Sequence, residues 1–122
     1  MRYVITHGHI FKNAGTSLDA SLEKAFGKDF VDHREDQDMR KGGADYLEQY
    51  ILDRPNLKAL SSHHLCNPLP VSDKFTCIPV FILRNPLERA VSVYNYERKQ
   101  KRGSLGAEMA AKLKLIDYIR WR

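Results

Sequence analysis

Residues 2–10, RYVITHGHI, mix β-branched and aromatic side chains without a helical period, which is the pattern of a buried strand. A polar run, KNAGTS, follows. From Leu18 the apolar positions fall at Leu18, Leu22 and Phe26 with Ala25 beside them. That stripe predicts an amphipathic helix ending at Gly27, with Thr16 or Ser17 capping its start. Residues 28–43 contain HREDQD and RKGG, charge-dense and aperiodic, and read as an exposed loop or an insertion of low order. Tyr46, Leu47, Tyr50 and Ile51 return to helix spacing and Pro55 stops it, predicting a short helix over 44–52.

A strand is expected at Leu57 to Ser61, then a loop over 62–75 with two prolines. Cys77 to Leu83, CIPVFIL, is a continuous apolar run of the kind found in central parallel strands, with Pro79 marking an irregular start. Pro86 stands where a helix would begin, and Leu87, Ala90, Val91, Tyr94 and Arg98 continue at helical spacing up to a break at Gly103. Leu105 to Trp121 reads as one further helix with Leu113, Ile116 and Ile119 on its apolar side. Tyr94 and Tyr96 read as core or groove residues. Strands alternating with helices predict an α/β protein, a parallel sheet flanked by helices, with its ligand at the carboxyl ends of the strands.

With 122 residues and 43% hydrophobic content, the chain is read as a single domain, 1–122, built on one core. Charged residues at 29% and no low-complexity segment exclude wholesale disorder. A formal charge of +5 fits an anionic partner without selecting among anions. The basic residues Arg98, Lys101, Arg102, Arg120 and Arg122 near the end read as a solvated helix face. Two cysteines, Cys66 and Cys77, are far from the density of a disulfide scaffold, so a reduced compartment is the default, although their spacing does not forbid a bridge. No window approaches the ~18 apolar residues of a membrane span.

The chemistry is concentrated at two strand-to-helix corners. At Lys12-Asn13-Ala14-Gly15-Thr16-Ser17, a helix N-terminus offers unpaired N–H groups, Gly15 allows close backbone approach, Thr16 and Ser17 add hydroxyl donors, and Lys12 adds a charge. On these residues alone, a turn glycine, a capping threonine and a solvated lysine account for the corner equally well. No G-x-x-x-x-G-K-[ST] loop occurs, which counts against a kinase or GTPase. The second corner is Leu83-Arg84-Asn85-Pro86, with Ser92 on the helix beyond. Arg84 is placed to grip a phosphate there, or else to pair with Glu88.

HIFKNAGTSL resembles the 5′-phosphosulfate-binding loop of the sulfotransferase family, and FILRNPLERAVSVYNYER resembles its 3′-phosphate-binding strand, turn and helix. The nearer likeness is to carbohydrate sulfotransferases of the heparan sulfate 2-O and 6-O type and their microbial relatives. This resemblance implies a P-loop-like sulfotransferase fold and 3′-phosphoadenosine 5′-phosphosulfate as donor, with no metal. It implies that Lys12 meets the bridging oxygen and the sulfuryl group, that the loop Asn13, Ala14, Gly15, Thr16 and Ser17 holds the 5′-phosphate, and that Arg84 and Ser92 bind the 3′-phosphate. Phe11 stands where the family often has proline, and Asn85 where it has aspartate. The implied partners are the nucleotide sulfate donor and a hydroxyl acceptor of glycan type, with no nucleic acid. Domains of that family are longer than this chain, which is therefore expected to be the nucleotide-binding portion, incomplete at its C-terminus. The expected compartment is the cytoplasm for the chain as given, or the Golgi lumen had it been trimmed from a membrane-anchored precursor.

Ser61-Ser62-His63-His64-Leu65 forms a third block. An attacking hydroxyl must lose its proton, and neutral imidazole is suited to accept it. The resembled glycan sulfotransferases often carry a Gly-His pair in this region, which places His63 as general base and His64 as its alternate. His7 and His9, two apart on a strand, face one side and invite a zinc reading. That reading is set aside because no C-x-x-C or H-x-x-x-H pair supports it, and the strand histidines are expected to orient the loop by hydrogen bonds. Two other functions remain open: a non-catalytic anion- or polyanion-binding module, and an atypical nucleotide kinase.

Overall fold

The computed structural model describes residues 1–101 and 103–122; Arg102 lies outside the described residues. Strand β1 (Arg2–Gly8) leads through a six-residue turn into helix α1 (Gly15–Phe26), a 3-10 turn (Gly27–Asp29) and strand β2 (Phe30–His33). Helix α2 (Asp36–Leu52), strand β3 (Ala59–Ser62) and strand β4 (Phe75–Val80) follow, then helices α3 (Pro86–Lys99), α4 (Leu105–Lys112) and α5 (Leu115–Trp121). The four strands make one sheet in the order β2-β3-β1-β4. Every pairing is parallel, with Ile5 opposite Ala59 and Ile78, and Phe30 opposite Ala59. The expected α/β architecture, a parallel sheet flanked by helices, is therefore present. By its contacts the chain divides into two compact units, Met1–Ile82 and Leu83–Arg122.

In the first unit, alternate side chains of β1 and β3 enter a core formed by Val4, Met39, Leu47, Ile51, Leu57, Leu60 and Phe75. Each large side chain removed from water there contributes about 1.5–3 kcal/mol. The Arg2 guanidinium donates to the Ile51 and Leu57 carbonyls at 3.2 and 3.1 Å and to Arg54 O, which ties the start of β1 to the carboxyl end of α2. A cation at a helix C-terminus is favoured by the backbone dipoles.

Several expectations need correction. Residues 28–43 are not a loop: they supply β2 and the first half of α2, and α2 runs on to Leu52 across a kink at Gly43 (φ 55°). The segment defeats periodicity because β2 is only four residues long, and only Met39 of the first α2 half is buried. The run Cys77–Leu83 is not a central strand. The observed strand lies at the sheet edge, where Pro79 is tolerated, and β3 and β1 occupy the two interior positions. Thr16 and Ser17 do not cap α1, whose N-cap is Ala14 without a side-chain cap bond. The helix expected over Leu105–Trp121 is two helices, broken at Leu113 and Lys114, both in extended backbone. Ala107 and Ala110 are buried on α4 and Tyr118 on α5, while Ile116 and Ile119 are exposed.

The second unit packs Tyr94, Ala110 and Tyr118 together. Asn85 Oδ1 accepts from the Leu87 and Glu88 amides at 2.9 and 3.4 Å, so asparagine caps α3 and Pro86 opens it. Tyr94 OH donates to Leu113 O at 2.7 Å, which anchors the break between the last two helices. Glu97 is buried and accepts from Tyr118 OH and, at 3.1 Å, from Arg122 Nη1. Burial, then the bond to Glu97, pushes the Tyr118 hydroxyl up to about 12. Of the other basic residues near the chain end, Arg98 lies against the Tyr94 ring, and Arg120 lies 3.9 Å from Asp117. Among the described residues no helix is long and apolar enough to cross a membrane.

Cys66 and Cys77 are free and half-buried against the first core. Burial, with Cys66 adding to it, pushes the Cys77 thiol from its ordinary value of 9.0 to about 11. Burial also raises Cys66. Because the thiolate is the reactive form, labelling of Cys77 by a disulfide reagent at pH 8 is expected to run about a hundredfold slower in the native protein than in urea. A folded pKa above the unfolded one also means stability held below pH 9 and lost as pH rises toward 11. Equal labelling rates in the two states would contradict this burial.

Candidate functional site

The carboxyl ends of β1 and β3 carry the histidines. The β1–β3 pairing runs one step beyond the strands, since the His9 amide donates to Ser62 O at 2.9 Å, and this places His9 beside His63. Their rings stack with centroids 4.2 Å apart and planes inclined by 25°, and the His7 ring lies 5.4 Å from that of His9. Offset stacking of this kind favours fixed ring orientations. His63, His9, Gly8, Phe81 and Asp36 line a cavity of about 480 Å³ at this edge of the sheet, the position where parallel α/β sheets bind ligands.

The turn between β1 and α1 is tightly formed. Lys12 and Ala14 both adopt left-handed backbone at φ 61°. For non-glycine residues this conformation costs about 1–3 kcal/mol each, and such strain concentrates at functional sites. Asn13 is buried, and its side-chain amide donates to Ile82 O at 2.9 Å, clamping the turn to the chain leaving β4. Gly15 opens the helix and is buried, and a Cβ added there would lie 2.3 Å from the His9 ring. Thr16 and Ser17 are exposed on the first turn. Since no side chain caps α1, the positive end of that helix is presented beside two hydroxyls and Lys12.

Asp19, on the same helix, is the residue that the sequence did not single out. Its Oδ1 lies 2.8 Å from His7 Nδ1 and its Oδ2 lies 2.9 Å from His9 Nδ1. Ser61 Oγ lies 2.9 Å from His7 Nδ1. Burial alone would raise the Asp19 carboxyl, but hydrogen bonds from Ser61 and His7 and the nearby His7 and His9 rings outweigh it and hold the carboxyl below its usual range. His9, Thr16, Asp19, Asp32 and Arg34 line a second cleft of about 370 Å³.

The structure thus brings the Lys12–Ser17 turn and His63 together through His9, which touches both. His64 is engaged differently: Arg40 Nη2 lies 2.9 Å from its Nε2, and its amide donates to Ser62 Oγ at 3.2 Å. Arg84 and Ser92 belong to the second unit. Arg84 Nε lies 3.8 Å from Glu88 Oε2, both side chains being exposed, and Ser92 is half-buried on α3. A signal for Asp19 did exist in the sequence, an acidic residue one turn into a helix preceded by a His-x-His strand end. Without the sheet in place, however, it reads as one more solvated helix carboxylate.

Comparison with known proteins adds little to the geometry. The chain is similar to a protein of Archaeoglobus fulgidus described as uncharacterized, 33% identical over 102 residues, which cover 81% of this chain and 40% of that protein. The chain therefore spans well under half the length of that curated relative. No protein-family model matches the chain, and no solved structure matches it.

Proposed function

We propose that this chain is the nucleotide-binding portion of a sulfotransferase with a P-loop-like fold, moving a sulfuryl group from 3′-phosphoadenosine 5′-phosphosulfate to an acceptor hydroxyl, on a carbohydrate. The observation that carries this reading is the β1–α1 corner. An uncapped helix N-terminus is opened by a buried glycine and preceded by a strained turn carrying Lys12, which is the arrangement that holds an anionic phosphate or sulfate oxygen. In this scheme Gly15, Thr16 and Ser17 hold the 5′-phosphate, and Arg84 and Ser92 take the 3′-phosphate. Lys12 neutralises the charge that develops on the bridging oxygen as the sulfur–oxygen bond breaks. The acceptor oxygen forms its bond to sulfur from the opposite side while its proton passes to His63, and the adenosine bisphosphate leaves. Such in-line transfer depends on positioning and positive charge rather than on a covalent intermediate. Both His63 and His64 line the cavity; His63 is favoured as the base because its ring stacks on His9, which packs against Gly15, whereas Arg40 donates toward the His64 ring.

Calorimetric titration with 3′-phosphoadenosine 5′-phosphate tests the assignment. The expected result is micromolar binding, weakened by about tenfold or more in Lys12→Ala and in Arg84→Ala, the effect of removing one charge-assisted phosphate contact. Equal affinity for ATP would favour a kinase. Binding of heparin without binding of the nucleotide would favour a polyanion module, and binding unaffected by both substitutions would end this reading.

A further inference from the structure

We propose that His7, His9 and Asp19 form a binding site for a divalent transition-metal ion, Zn²⁺ fitting the donor set best. The proposal stands apart from the nucleotide reading, because it uses none of the residues assigned to phosphate.

The donor atoms of the three residues all lie within 4.8 Å of one another. The Nδ1 atom of each imidazole lies close to a different carboxylate oxygen, at 2.8 Å for His7 and 2.9 Å for His9. Donors held about 2.0–2.1 Å from a tetrahedral zinc are about 3.3 Å apart, so the two imidazole–carboxylate pairs have to open by about half an ångström, and any pair near the 4.8 Å limit has to close, to take an ion at the centre. Hydrogen bonding alone leaves the cluster incomplete. His9 Nδ1 is buried without a hydrogen-bond partner despite its distance from Asp19, so its proton or lone pair is not aimed along that line. His7 Nδ1 is directed at Asp19 and Ser61 at once, and His7 Nε2 is also buried without a partner. Asp19 and Ser61 thus leave His9 Nδ1 without a bond, whereas an ion placed between the two Nδ1 atoms and the carboxylate engages all three residues.

Chemistry and access agree with this. Two neutral imidazoles and one carboxylate are the donor types preferred by zinc and its neighbours over calcium or magnesium. The ligands sit on rigid elements: positions 7 and 9 share a face of β1 and its extension, and Asp19 is carried by α1, which Gly15 holds against the His9 ring. The cleft lined by His9, Thr16, Asp19, Asp32 and Arg34 supplies an entry path and leaves the fourth coordination position to water or an anion oxygen. The sequence offered no metal motif because the third ligand comes from another element, ten residues after His9.

Tag-free protein stripped with a chelator, then titrated with ZnCl₂ by calorimetry and with CoCl₂ by visible absorption, tests the site. The expected outcome is one ion per chain, with cobalt bands of four-coordinate intensity. Affinity should fall by at least about tenfold in Asp19→Asn and in His9→Gln, the least that even a hydrogen-bond partner of a ligand contributes, and should be unchanged in His64→Gln. If Asp19→Asn does not fold, the imidazole nitrogen resonances of the wild-type chain decide: Zn²⁺ must shift those of His7 and His9 and leave those of His33 in place. No ion bound, an unchanged affinity in Asp19→Asn and His9→Gln, or an equal loss in His64→Gln overturns the proposal.

Discussion

Gly15→Ala is expected to destabilise the protein by about 1–3 kcal/mol, the range for forcing an extra methyl group into a packed site, and to displace His9 from both of its neighbours. The added Cβ would sit 2.3 Å from His9 Cδ2 and 2.4 Å from Nε2. A clash with the tip of a mobile side chain is relieved by a small rotation, but His9 is constrained on several sides. Asp19 lies 2.9 Å from its Nδ1, the His63 ring covers one face at 4.2 Å, and its backbone amide is bonded to Ser62 O. The methyl group therefore has to move either α1 or the imidazole, and either movement separates the Lys12–Ser17 turn from His63. Urea denaturation gives the stability change, and the His9 ring resonances report the displacement. Gly103→Ala is the control: nothing lies within 4 Å of a Cβ there, so its effect should stay within about 0.5 kcal/mol. The double variant Gly15→Ala/His9→Ala should recover much of the stability lost in Gly15→Ala, because the two positions are in direct contact. If Gly15→Ala is as stable as the wild type and leaves the His9 resonances unmoved, the close packing of α1 on His9 is wrong.

Both strand-turn-helix corners were legible in the sequence because their signals are local. A β-branched run, a glycine or proline at the turn and a four-residue apolar stripe each act over a few residues, and β1, α1 and α3 follow from them. Where the deciding interaction is distant, the sequence fell short. The four-residue β2 is a strand because Phe30 to His33 pair with Ala59 to Ser62, and nothing within FVDH announces this. The first half of α2 carries two glycines and a single buried apolar residue, so its helical state depends on Met39 reaching the core rather than on a repeating pattern. A continuous apolar run, as in β4, reads the same at the edge of a sheet as at its centre. The site divides in the same way. The Lys12–Ser17 turn was visible as a motif, whereas Asp19 acquires its role only when α1 lies along β1 and its carboxylate comes between two imidazoles.

Phe75→Ala is expected to cost about 3–5 kcal/mol, the range for deleting a buried aromatic side chain. Phe75 is 1% exposed, begins β4 opposite Arg2 of β1, and packs among Val4, Met39, Leu47, Ile51, Leu57 and Leu60. The loss combines the apolar area returned to water on unfolding with the cavity left behind. The walls come from two strands and α2, so they cannot all close in without breaking the register. Total stabilities of small domains are about 5–15 kcal/mol, so the first unit of Phe75→Ala should unfold at a much lower urea concentration with its slope unchanged. Ile116→Ala provides the contrast. Helical spacing places Ile116 on an apolar face, but it is 56% exposed, and its removal should change stability by no more than about 0.5 kcal/mol. If the magnitudes were reversed, with a costly Ile116→Ala and a neutral Phe75→Ala, both the register of β4 on β1 and the separation of α4 from α5 would have to be redrawn.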